Sequence, residues 1–96
     1  MRWFEIWNMR TKKNLVLRPL GDQFILVAEG KAVADFTQMV SMNASSAYLW
    51  DAVEGKDFDL AMLADLLVEA YDITKEQAEH DAAVVIDDWK RIGITE

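Results

Sequence analysis

His80 is the chain's only histidine, and there is no cysteine, so few of its groups could attack a bond, hold a soft metal or relay a proton. A Ser/His/Asp triad or a His-based metal site would have to be built around His80. It lies in the acidic stretch Glu79-His80-Asp81, which reads as a solvated helix face, and the expectation is an ordinary surface histidine. The carboxylate pairs Asp57/Asp59 and Asp87/Asp88 could suggest acid–base work or a hard cation. Adjacent or nearly adjacent residues on a helix point in different directions, however, so caps and solvated charge describe these pairs better. Gly21, Gly30, Gly55 and Gly93 stand singly, and none belongs to a phosphate-cradling loop. No catalytic residue, cofactor or metal site is predicted, and a small enzyme acting alone is the weakest reading.

What remains is recognition, and charge narrows it. The net charge is -7, divided unevenly: residues 1–42 hold six Lys/Arg against four Asp/Glu, and residues 43–96 hold four against thirteen. An acidic half repels phosphate backbones, which argues against DNA or RNA as partner. No apolar run is long enough to span a bilayer, and Met1 to Lys13 shows no signal-peptide pattern, so no membrane association is expected. The absence of disulfide chemistry fits a reducing compartment, with the cytoplasm as the expected location.

The elements that must position a binding surface follow from periodicity. Residues 1–13, with Trp3, Phe4, Ile6, Trp7 and Met9 before Arg10, Lys12 and Lys13, form a tryptophan-rich extension that fits a helix face or a strand face equally. Residues 14–96 form one domain. Leu15 to Arg18 and Phe24 to Val27 read as a hairpin joined at Gly21-Asp22, with Pro19 at a strand end. Phe36 to Met42 is a third strand, with Phe36, Gln38, Val40 and Met42 on one face and Thr37, Met39 and Ser41 on the other. Three helices follow. Asn43 caps the first, whose apolar face is Ala47, Leu49, Trp50 and Val53 and which ends at Gly55. Asp59 caps the second, from about Leu60 to Tyr71, with Leu60, Leu63, Leu67 and Ala70 inward and Phe58 stapled onto Leu63. Thr74 and Gln77 form a capping box for the third, which runs to Ile92 before Gly93 and buries Ala78, Ala82, Val85, Ile86, Trp89 and Ile92.

Several of these residues, in this order, resemble one family. Met42-Asn43-Ala44-Ser45-Ser46-Ala47-Tyr48-Leu49-Trp50 with Gly55 is similar to the Leu-Asn, small-residue, Ile-Trp stretch of the PqqD-like proteins, also called RiPP recognition elements. Leu63, Leu67 and Tyr71-Asp72 resemble the end of that family's second helix. Asp81, Val85, Ile86, Trp89, Gly93 and Ile94 resemble its ending. Trp89 stands where the family usually has Leu, Ser45-Ser46 replaces a Glu-Thr type pair, and the tryptophan-rich start lies outside the pattern, so the resemblance covers about Asn14 to Thr95.

The resemblance implies an α+β fold: a three-stranded antiparallel sheet followed by three helices, winged-helix-like. It also implies a non-catalytic module that captures the leader of a ribosomally made precursor peptide as an added strand and presents it to a modifying enzyme, commonly a radical SAM enzyme. Pyrroloquinoline quinone synthesis is one setting within the family. Carried over by position, the edge is Phe36, Thr37, Gln38, Met39, Val40, Ser41 and Met42, and the facing wall is Asp81, Val84, Val85 and Asp88 on the third helix. Strand addition is coherent physically, because an edge offers unpaired backbone groups for affinity while side-chain pockets give selectivity. Two rivals remain: a winged-helix nucleic-acid binder, disfavoured by Glu76, Glu79, Asp81, Asp87 and Asp88 against Lys75, Lys90 and Arg91, and a structural subunit that pairs its edge with a copy of itself as a homodimer.

Overall fold

The structure, a computed structural model, describes residues 9–30 and 39–95. Strands β2 (Leu15–Leu20) and β3 (Gln23–Ala28) form the hairpin expected around Gly21-Asp22, with Leu20 opposite Gln23 and Leu15 opposite Ala28. Gly21 has φ of +64°, which the tight turn requires and glycine supplies without steric cost. Strand β4 (Val40–Met42) pairs antiparallel with β3 and completes a three-stranded sheet in the order β2-β3-β4. The strand is shorter than the predicted Phe36 to Met42: Met39 is not part of the ladder, and Phe36, Thr37 and Gln38 lie outside the described residues. Val40 and Met42 face the core while Ser41 and Met39 are exposed, in the predicted alternation.

Three helices follow: α1 (Ala44–Val53), α2 (Leu60–Ala70) and α3 (Lys75–Ile92). Their starts are set by the predicted caps. The side chains of Asn43, Asp59 and Thr74 accept from the backbone N–H groups of Ser46, Met62 and Gln77 at 2.9, 2.9 and 3.1 Å. Only half of the predicted capping box forms: Thr74 Oγ1 accepts from the Gln77 N–H, while the Gln77 side-chain amide donates forward to Asp81 Oδ1 at 2.8 Å instead of accepting from the Thr74 N–H. On α2, Ala64 is buried and Ala70 exposed, so the inward stripe departs from the predicted one at the helix's last turn.

The core unites the sheet's inner face with all three helices, through Leu15, Leu26, Val40, Met42, Leu49, Trp50, Leu63, Leu67, Ile86 and Trp89. Trp89 sits at its centre, edge-on to Trp50 at 5.4 Å and to Phe58 at 5.9 Å between ring centroids. Trp50 Nε1 is buried with no hydrogen-bond partner among the described residues.

The described part of the basic start is tied to the far end of the chain. Strand β1 (Met9–Arg10) pairs with β5 (Asp57–Phe58), just ahead of α2, and buries Met9. Arg10 donates to Asp57 Oδ1 and to the Gly55 carbonyl, both at 2.8 Å. Thr11 is buried, accepts the Gly55 N–H at 3.1 Å and bridges to Thr95. Trp3, Phe4, Ile6 and Trp7 lie outside the described residues.

Candidate functional site

The site begins with the backbone of β4. A two-residue turn makes Leu20 and Gln23 a hydrogen-bonded pair, and in an antiparallel ladder such pairs alternate with non-bonded ones. Ile25 and Val27 therefore direct their N–H and C=O groups at β2, and Phe24 and Leu26 direct theirs at β4. The register places Met42 opposite Phe24 and Val40 opposite Leu26, so these two spend their backbone groups on β3. Ser41, opposite Ile25, is left with N–H and C=O facing away from the sheet. Met39 has the same parity, and the residue is 68% exposed. Among the described residues no strand pairs with this rim of β4.

The chain passes from Met42 directly into a cleft of about 370 Å³. One wall is the start of α1, with Asn43, Ser45 and Ser46 above Leu49. The opposite wall is α3, which contributes Asp81, Val84 and Val85, and the end is closed by Leu67 of α2, by Tyr71 at its C-cap and by Ile73 just beyond. Leu49 and Leu67 are buried and form an apolar floor, while Tyr71 and Val84 are exposed at the rim. Tyr71 stands edge-on to Tyr48 at 6.4 Å, and the Tyr48 hydroxyl reaches the Leu66 carbonyl at 3.5 Å, a contact at the outer limit of a hydrogen bond.

The eleven residues proposed from sequence are thus distributed in four ways. Met39, Val40, Ser41 and Met42 lead into the cleft, with Ser41 presenting the outward backbone. Asp81, Val84 and Val85 line it. Asp88 lies two helical turns beyond Asp81 on the same flank, outside the lining, and its carboxylate accepts from Arg91. The other three, Phe36, Thr37 and Gln38, are those outside the described residues. Leu49, Leu67, Tyr71 and Ile73 were not among the eleven. In sequence a cleft floor is indistinguishable from a core stripe, because both are apolar residues at helical spacing.

His80 is exposed, Asp57 is ion-paired with Arg10, and Asp59 is a cap. Among the described residues no group of three or more His, Cys, Asp or Glu could hold a metal ion, and no helix is long and apolar enough to cross a membrane.

Residues 23–94 match the family described as coenzyme PQQ synthesis protein D (PqqD). Among solved structures the fold is similar to that of TbiB1 in complex with the TbiA(beta) leader peptide, with a TM-score of 0.67 over 91% of this chain and 94% of that one. At 15% identity the likeness is one of fold. No curated protein matches the sequence.

Proposed function

Since the chain belongs to the PqqD family, we propose that it is a non-catalytic binding module that takes up the leader segment of a ribosomally made precursor peptide as a fourth strand on β4 and presents it to a separate modifying enzyme. The observation that carries this reading is the outward backbone of Ser41 beside a cleft with an apolar floor. Such a rim supplies hydrogen bonds to any extended segment, and the cleft selects among segments by the side chain it receives. The fold neighbour TbiB1, held in complex with a leader peptide, supports the same assignment.

The guest lies along the β4 rim at Ser41 and against Asp81, Val84 and Val85, with Asp88 at the far end of the wall; Phe36, Thr37 and Gln38, the rest of the expected contact segment, lie outside the described residues. The enzyme that acts on the bound precursor is of the radical SAM type, the whole exchange is cytoplasmic, and pyrroloquinoline quinone synthesis is one pathway it could serve. Titration calorimetry between this chain and its precursor peptide tests the reading, with binding lost when the leader is removed and retained when the modifiable core is removed. Binding that follows the core instead would overturn it.

A further inference from the structure

The charge and spacing of the α3 wall carry a statement about the guest, one that rests on the peptide-binding reading above. We infer that the recognised segment is cationic beside its anchor: a large apolar side chain seats on Leu49, Leu67 and Val85, and a Lys or Arg two residues away in the guest meets Asp81.

Asp81, Val84, Val85 and Asp88 recur at i, i+3, i+4 and i+7, so they share one flank of α3 as an acid, two apolar groups and a second acid. The helix rises roughly 10 Å between the two carboxylates at about 1.5 Å per residue. In an extended guest, side chains on one face recur every ~6.8 Å. An apolar side chain seated at Val84 and Val85 therefore brings its neighbour two residues away within reach of a carboxylate, given the long stem of Lys or Arg.

The two acids are not equivalent. Asp88 already accepts from Arg91, whereas Asp81 is half-buried and accepts only from the neutral amide of Gln77 among the described residues. No Lys or Arg lines the cleft among the described residues. The polypeptide from Asn43 onward carries thirteen acidic against four basic side chains, a field that attracts a cationic segment and repels an anionic one.

The test is selection of a displayed random dodecapeptide library on the intact chain and on its Asp81→Lys and Asp81→Asn variants, followed by calorimetry on recovered peptides. Asp81 is on the helix surface, and Asp81→Asn keeps a side chain that can accept from Gln77, so the fold is retained. The expected result is enrichment of Lys or Arg two residues from a large apolar residue, loss of that preference on Asp81→Asn, and its replacement by Asp or Glu on Asp81→Lys. Changing that Lys to Glu in a recovered peptide should weaken binding about tenfold or more at low salt and much less at high salt. Peptides without cation enrichment, or the same motif on Asp81→Lys, would overturn the inference while leaving peptide binding standing. Cation-selective peptides whose affinity ignores a proline at Ser41 would instead overturn strand addition, and recovery of no peptide would overturn both.

Discussion

Replacing Ser41 by proline is the sharpest test of the edge. Ser41 is the β4 residue whose N–H the register turns outward, so Ser41→Pro removes a donor from the rim without removing one from the β3–β4 ladder. One strand hydrogen bond contributes about 1 kcal/mol net, and the guest carbonyl left facing it adds a desolvation cost of about 1 kcal/mol or more. The sum, about 2 kcal/mol, corresponds to roughly a thirtyfold rise in Kd. Val40→Pro supplies the contrast, because the Val40 N–H faces Leu26 and its loss breaks the internal ladder. Calorimetric titration of a bound peptide should show the weakening in Ser41→Pro at near-native thermal stability, and Val40→Pro should melt well below the native chain. A folded Ser41→Pro variant with native affinity would refute the reasoning, as would equal loss of stability in both variants.

Other substitutions test the frame that holds this edge. Trp89→Ala removes the ring shared by Trp50 and Phe58 and should cost about 3–5 kcal/mol in chemical denaturation. Gly93→Ala places a Cβ where φ is +91° with no neighbour within 4 Å, so its cost of about 1 kcal/mol is purely conformational and should appear as a small fall in Tm. Thr11→Val strands the Gly55 N–H and should lower stability by about 1 kcal/mol; an unchanged Tm would mean that residues 9–13 do not brace the α1–α2 connection. Pro19→Thr should restore a donor to the opposite rim of the sheet and produce concentration-dependent dimers in light scattering, where the native chain gives fewer.

The helix starts were legible because a cap is a short-range device: Asn43, Asp59 and Thr74 each bond three residues ahead, within the span that a sequence pattern describes. The hairpin was legible for the same reason. The β1–β5 pairing joins Met9 to Phe58 and the Thr11 bridge reaches Thr95, and ladders this short across such separations leave no periodic trace. The choice made by Gln77 was hidden too, because Thr74 behind it and Asp81 ahead are both within reach and only three-dimensional packing decides between them. Of the site, the α3 flank of Asp81, Val84 and Val85 was proposed by position from the family resemblance, and the fold brings these three together along one cleft. The floor of Leu49 and Leu67 could not be read from the sequence, since its difference from the rest of the core is what lies above it.

The sheet has two rims, and the sequence treats them differently. In β2, the backbone groups of Val16, Arg18 and Leu20 bond inward to β3, so those of Leu15, Leu17 and Pro19 face out. Pro19 has no N–H to offer, and the exposed Arg18–Glu29 ion pair, 2.6 Å long, adds charge beside it. Both are means of discouraging an incoming strand. Among the described residues the β4 rim has neither: Ser41 is small and neutral, Met39 is exposed, and the next residues open into an apolar-floored cleft. If both rims were merely surface, the same protection would be needed on each, because an unguarded edge invites aggregation. That it is placed on β2 and, among the described residues, not on β4 agrees with the proposal that the β4 rim receives a guest and the β2 rim does not.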